Sequence, residues 1–448
     1  MIYLISIFVI LISYHQFKIV SGTMALNRLN LMSIIFYFYL IFMSYLGAIF
    51  IASGFQSDTT VLRHVSNENK ILGWLIISYL LIAFPLGSRL AMKLFKIKNV
   101  GKLLKNYTAQ NLVPVLASND SYMRLMFYFL SIISLLAIVY MIVVTGLIPQ
   151  KQLFSLADQV EVLIMRNSIN RDFQGIYYVK SILFEKLTPI LSLISFSYWK
   201  MTKKRSHKIW FFIMFFATLF VLTFNLAKSP LIIYGIIMLI LKVYLEGKIK
   251  WKYLILTFMF VLVGLFIMFI LVARNAELSF IFKFLFNRLF FDQVSGTFLM
   301  LEIFPKTYDF IGFSSMSRPI SEFFLGGYSK PATRIAMEFA FPTATEKGIM
   351  NLLSTLFVGE AWANFGWVGV LLSPIYVGFL FGVIYFKALT SRKTPLMVSF
   401  LAYCSFGLSI TTQFNNYIYN SVMFIIVFIL VGSYIYALLL KQLKQLKV

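Results

Sequence analysis

Long, nearly uncharged apolar runs recur along this chain, and nothing else in the sequence restricts its fold as much. A hydrocarbon core of roughly 30 Å is crossed by about 17 to 25 apolar residues in a helix. Inside it, backbone polar groups are satisfied only in helices or closed barrels. Eleven such runs are read, at 2–20, 31–53, 71–92, 125–147, 176–199, 209–226, 230–245, 253–273, 366–386, 396–413 and 419–440. The seventh, with 16 residues, is short for a span. Hydrophobic residues make up 60% of the chain and charged ones 12%, and the mean hydropathy is +0.85. A water-soluble core could not hide that much apolar surface. The expected fold class is an all-α polytopic membrane protein with about eleven transmembrane helices. No basic segment precedes the first run and no small-residue cleavage site follows it, so it is expected to be a span rather than a cleaved signal.

The net charge of +24 is a topology signal, not a nucleic-acid footprint. The connections 21–30, 93–124, 200–208, 246–252, 387–395 and the C-terminal KQLKQLKV are dense in lysine and arginine. Positive-inside bias assigns all of them to the cytoplasmic face. With Lys18, Arg89 and Lys242 snorkelling there, 24 of the 40 basic residues lie inside, beside only Asp120 and Glu246. The outer side then holds 16 basic and 14 acidic residues, a net of +2. This map puts the N-terminus outside and the C-terminus inside. The single Cys404 excludes a disulfide framework, and His15, His64 and His207 are too scattered for a zinc site.

Hydropathy divides the chain into an eight-span bundle at 1–273, an outer loop at 274–365 and a three-span bundle at 366–448. Segment 148–175 is a second outer connection. At 92 residues the large loop exceeds what a connection needs, and loops of that size are usually functional or disordered. Its content of Phe, Leu, Met and Ile argues for order. In SFIFKFLFNRLFFDQ, Lys283, Asn287, Arg288 and Asp292 recur at helical spacing, which predicts an amphipathic helix over 279–293 lying in the outer interface. A second short helix is predicted in EKGIMNLLSTLFVGEAW. No fixed-period internal repeat is present, which weakens inverted-repeat transporter architectures.

Arginine is concentrated on the outer side. Inside, 5 of 24 basic residues are arginine; outside, 7 of 16 are: Arg63, Arg166, Arg171, Arg274, Arg288, Arg318 and Arg334. Lysine suffices for a solvated rim, whereas arginine suits planar, bidentate contact with phosphate or carboxylate. Pairing with outer acids is the competing explanation, as Arg288 with Asp292 at i, i+4. Lys228, at the tight outer tip of a helical hairpin, either snorkels or points into a cavity between helices. Arg274 ends the eighth span at the same level. Arg166 and Arg171 precede the fifth span, which carries Glu185 and Lys186 within it.

The stretch TLFVGEAWANFGWVG places Glu360 and Asn364 four residues apart, on one face of a helix, just before an apolar run. Gly359, Gly366 and Gly369 permit close approach of backbone or ligand. A carboxylate at the outer mouth of a cavity near arginines suits a general base or an anchor for hydroxyls. An interfacial Glu that only caps or pairs locally is the alternative.

Eleven or so spans, a large outer loop near the C-terminus and the closing pattern Gly359, Glu360, Asn364, Phe365, Gly366, Gly369 resemble the oligosaccharide repeat-unit polymerases (the Wzy class of O-antigen and related polysaccharide polymerases). The layout covers most of the chain; the specific part is that short pattern, supported by Lys228. The spaced arginine-to-glycine motif of some members (arginine, ten residues, glycine) is met by no outer arginine, so no catalytic arginine is transferred by it. The resemblance implies a GT-C-like helical fold in the bacterial cytoplasmic membrane. It implies transfer of a growing glycan from undecaprenyl diphosphate to a lipid-linked repeat unit at the outer face, independently of nucleotide sugars and cofactors. A chain-length regulator is an implied partner and nucleic acid is not. In that setting Glu360, Arg274 and Lys228 are the candidate catalytic residues. Arg166, Arg171, Arg288, Arg318, Arg334 and Asn364 are the candidate substrate contacts, and no metal ligands are expected. An O-antigen ligase shares the donor, but members of that class usually carry a histidine in the large outer loop and 274–365 has none. A lipid-linked oligosaccharide flippase or other transporter would place charges along a central path, and would not need the long loop.

Overall fold

In the computed structural model, described for residues 1–55, 59–116, 120–146, 148–150, 169, 173–225, 229–256, 259, 283, 286–316, 318–346 and 352–445, every regular element is a helix. In chain order the main helices are α1 (Ile2–Ser21), α2 (Leu31–Ile34 continuing through Ile35–Tyr45 and Leu46–Ala52), α3 (Asn67–Leu94), α4 (Val100–Ala109) and α5 (Ser121–Thr145). They are followed by α6 (Val179–Leu187 continuing as Thr188–Thr202), α7 (Arg205–Phe224), α8 (Ser229–Glu246), α9 (Ser295–Ile303) and α10 (Arg318–Leu325). The last are α11 (Ala332–Ala340), α12 (Phe357–Thr390), α13 (Pro395–Gly407) and α14 (Ser421–Gln445). Among the described residues, eight helices are long and apolar enough to cross a membrane. The chain is a multi-pass, all-helical membrane protein. Of the eleven runs, 253–273 lies almost wholly outside the described residues, 176–199 falls on the two-part α6, and 396–413 falls on the shorter α13.

The lipid-facing sides are legible as apolar stripes. On α5, Leu125, Phe129, Ile132, Leu136, Val139 and Val143 are exposed, at spacings of three and four. Met123, Phe127, Leu130, Ser134, Ala137 and Met141 on the other side are buried. Such a stripe would be an aggregation hazard in water and is ordinary in contact with acyl chains.

Contacts divide the chain into two compact units, each built from separated segments. The first comprises 1–104, 250–387 and 408–420. Here α3 packs against α1 and α2. Its crossing with α12 depends on small residues, because a Cβ at Gly87 would lie 2.0 Å from the Ile375 carbonyl oxygen and one at Gly378 2.0 Å from that of Phe84. Ser88 Oγ seals the crossing by donating to the Gly378 carbonyl at 2.8 Å. Asn30 caps α2 through hydrogen bonds from the Met32 and Ser33 amides, and Ser66 caps α3 by accepting from the Asn69 amide.

The predicted interfacial helix 279–293 is described only at Lys283 and from Phe286 onward. Its Asn287–Phe291 turn is wound as a π-helix. Phe286, Phe290 and Phe291 pack on Phe50 and Phe55 with ring centroids 5.7–6.5 Å apart, mostly tilted or edge-on. Its aromatic face is therefore packed on the end of α2.

The second unit comprises 105–249, 388–407 and 421–448, with α6 packed on α5, α7 and α13, and α8 on α13. Lys393, counted from sequence as part of a solvated basic rim, is only 2% exposed. Its ammonium donates to the carbonyls of Thr108 (3.0 Å), Gln110 (2.9 Å) and Leu245 (3.2 Å). Burial pulls its pKa down to about 8, which leaves it largely protonated at neutral pH. Three donors meeting three acceptors make it a structural pin at the ends of α4 and α8.

Candidate functional site

In the first unit, the opening turns of α12 meet two irregular segments, 308–316 and 408–414, the second leading into the helical turn Asn415–Ile418. The sequence dictates that meeting by a break in the helix. Gly366 has φ 57° and ψ −138°, outside helical geometry, which is inexpensive only for glycine. The break ends the Phe357–Phe365 turns and strands their last carbonyls. The neighbouring segment takes them: Ile311 N–H donates to Ala363 and Gly312 N–H to Asn364, both at 3.0 Å. Trp362 Nε1 fixes the other side by donating to the Phe304 carbonyl at 3.1 Å.

The helix starts at Phe357 rather than earlier. Of the second short helix expected in EKGIMNLLSTLFVGEAW, 347–351 lie outside the described residues, Phe357–Trp362 are helical as the opening of α12, and 352–356 form no helix. That strip is pinned by Thr297, whose Oγ1 lies 3.0 Å from Thr355 Oγ1 and accepts from the Leu356 amide at 3.1 Å. Gly359 lets this happen, since a Cβ there would lie 2.9 Å from the Thr297 Cα.

Glu360 and Asn364 do lie on one helix, and both reach Asn415. The Asn415 amide donates to Glu360 Oε2 at 3.0 Å. Asn364 Nδ2 donates to Asn415 Oδ1 at 3.1 Å, and Asn415 Nδ2 to Ser315 Oγ at 2.9 Å. Glu360 is 0% exposed, Asn364 2%, Asn415 6% and Ser315 4%. The carboxylate expected at an open mouth is thus enclosed. Two of its neighbourhood's acceptors, Glu360 Oε1 and Asn364 Oδ1, are buried with no hydrogen-bond donor among the described residues. An unsatisfied buried acceptor costs about 1–3 kcal/mol, more when charged, so such a pair is a candidate for chemistry.

Beside this cluster lies an open cleft of about 300 Å³. Its polar lining includes Thr333, Ser354, Thr411, Thr412, Gln413 and Asn416, and Leu352 and Leu353 form an apolar wall. The sequence reading missed these groups because it carried a span to residue 413. The helix stops at Gly407, and 408–414 is held by its own polar groups, Ser409 Oγ accepting from the Thr411 amide at 3.1 Å. The signal was present in SITTQFNN, a polar run too dense for a hydrocarbon interior.

Of the basic candidates, the structure describes the contacts of Arg288 and Arg334, and both pair with carboxylates. Lys228, Arg274, Arg166 and Arg171 lie outside the described residues. Arg318 opens α10. Arg288 is ion-paired with Asp292 at 3.1 Å, as its spacing predicted. Arg334 and Lys330 hold Glu338 at 2.9 and 3.0 Å; burial opposes its charge, but these two cations keep its pKa below the usual range. In α6 of the second unit, Glu185 Oε1 accepts from Asn225 Nδ2 at 3.2 Å, and Lys180 donates to the Ile169 carbonyl at 2.6 Å. Among the described residues, no group of three or more His, Cys, Asp or Glu is placed to hold a metal ion. The chain matches no protein-family model, no curated protein and no solved structure.

Proposed function

We propose that this chain is a lipid-linked glycosyltransferase that polymerises undecaprenyl-diphosphate-linked oligosaccharide repeat units at the outer face of a bacterial cytoplasmic membrane. In this reading the fold has eleven spans in a GT-C-like arrangement. The observation that carries it is the buried Glu360 carboxylate, with one oxygen held by the Asn415 amide and the other without a donor among the described residues. A neutral cleft lies beside it, on the face that the charge asymmetry assigns as outer.

The chemistry follows from those groups. An acceptor hydroxyl of one repeat unit attacks the anomeric carbon of the growing glycan. A carbon–oxygen bond forms there as the bond to the diphosphate breaks. Glu360 takes the hydroxyl proton, and the diphosphate leaves as an anion. Charge developing on it is stabilised by preorganised cations, for which Lys228 and Arg274 are the candidates, with Arg166, Arg171, Arg318 and Arg334 as further contacts. Asn364 orients the base through Asn415. Since Glu360 is enclosed, the acceptor reaches it only when a segment packed on it shifts.

The test is reconstitution. Purified protein in liposomes, given undecaprenyl-diphosphate-linked repeat units and no nucleotide sugar, should yield a ladder of longer glycans. Only single units at every time point, from protein of unchanged melting behaviour, would reject the reading.

A further inference from the structure

The cleft beside Glu360 has a chemistry of its own. Its polar side chains are five hydroxyls (Thr333, Ser354, Thr355, Thr411, Thr412) and two carboxamides (Gln413, Asn416), and every described lining residue is uncharged. Hydroxyls and carboxamides both donate and accept, so this wall matches a ligand whose polar groups also do both. A phosphate or carboxylate would call for arginine or lysine, and a cation for carboxylates. The side chains are set by contacts among themselves: Gln413 Nε2 donates to Thr333 Oγ1 at 2.8 Å, and Asn416 Nδ2 to Thr412 Oγ1 at 2.9 Å. The Leu353 amide, donating to the Thr333 carbonyl at 3.1 Å, joins the apolar wall to the polar one. A pyranose ring has this same division, with hydroxyls at its edge and C–H groups on its faces. The volume, about 300 Å³, is at the lower end of small-molecule sites, which run from roughly 300 to 1,000 Å³. That suits one sugar residue and not an oligosaccharide.

We propose that this cleft is a binding subsite for a single uncharged sugar residue of the glycan. The proposal rests on the reading that the chain handles glycans, and its test is independent of polymerisation. Full-length protein is held in a detergent without a sugar headgroup. Saturation-transfer NMR is then recorded with methyl glucosides, methyl galactosides, N-acetylglucosamine and, as the charged member, glucuronic acid. The expected result is transfer to at least one neutral sugar and weaker transfer to glucuronic acid. Thr412→Val, which removes a hydroxyl at nearly constant shape, should weaken binding about five- to tenfold, the worth of one ordinary hydrogen bond. Leu352→Trp, which fills the cleft by bulk and touches no described hydrogen bond, should abolish it. Both variants should melt like the wild type. Stronger transfer to glucuronic acid, no transfer to any neutral sugar, or neutral binding unchanged in both variants would overturn the subsite. A protein that binds neutral sugars here yet polymerises nothing would sink the polymerase reading and leave the subsite standing.

Discussion

Glu302 and Glu360 are two glutamates of the same compact unit, and they are held in opposite ways. Glu302 Oε2 accepts from the Ser66 amide (2.9 Å), Ser66 Oγ (2.6 Å) and Asn69 Nδ2 (2.8 Å), while Oε1 accepts from Lys306 at 3.0 Å. The Ser66 and Asn69 donors sit at the start of α3, where the helix dipole also favours negative charge. Burial opposes ionisation, but the bonds from Ser66, Asn69 and Lys306 outweigh it and draw the Glu302 pKa down to about 2. Glu360 is more deeply buried and is held only by backbone amides, Asn415 at 3.0 Å and Phe414, with no donor among the described residues on Oε1. A carboxylate with both oxygens occupied is an anchor; it ties α9 to α3 and has nothing left to offer a substrate. One with an unoccupied oxygen carries an energetic cost that a purely structural role does not explain. What separates these two carboxylates is unmet hydrogen-bonding capacity, not burial or charge. Lys393, buried with three carbonyls, belongs with Glu302.

Substitution of the two glutamates separates their roles most sharply. Glu360→Gln keeps the shape and removes proton acceptance, so turnover of lipid-linked repeat units should fall by about 10²–10⁴-fold, the usual worth of a general base. Its membrane level should not change. Glu302→Gln should leave turnover per folded molecule within about twofold, a bound set by its lack of any role in proton transfer. Equal loss in both variants would erase the distinction. A smaller effect is expected on stability, where Glu302→Ala strands the Ser66 and Asn69 donors. The cost should be about 1.5–3 kcal/mol, as for a hydrogen bond to a charged group, read as a lower melting temperature.

The same anchor has a pH signature. Because the Glu302 pKa is lowered in the fold from 4.5 to about 2, the unfolded chain binds more protons between those values. Its contribution is complete above about pH 4.5 and is lost as the pH falls toward 2. The melting-temperature gap between wild type and Glu302→Ala should therefore narrow over that window; a gap constant down to pH 2.5 would contradict the hydrogen-bond account. Asn364→Ala removes one neutral link to Asn415 and should slow turnover about tenfold, the upper range for one hydrogen bond. The smallest effect belongs to Arg288→Ala. Its ion pair with Asp292 is exposed on the arginine side, and such pairs contribute about 0–1 kcal/mol. A large loss of turnover in this variant would instead mark Arg288 as a substrate contact.

Much of this was legible in the sequence, for one reason: hydrophobicity and helical period act over a few residues. The apolar runs give a multi-pass helical membrane protein, and the ends of α1, α2 and α8 fall within a residue of those read from hydropathy. The four-residue spacing of Glu360 and Asn364 puts them on one helix, and that of Arg288 and Asp292 predicts their ion pair. Tertiary structure decided everything that depends on which distant segment arrives beside a given side chain. Asn415 meets Glu360 across 55 residues of sequence, and Glu302 meets Ser66 across 236. Both glutamates sit beside apolar residues in sequence, Glu302 just after FLML and Glu360 just before an apolar run. Whether a carboxylate finds donors for both oxygens or is left with one bare is set by packing between segments far apart in the chain, and no local pattern encodes it. The polar run SITTQFNN is an intermediate case. Its composition excluded a hydrocarbon interior, but only the fold brought it against Thr333 and Ser354 to form a cleft.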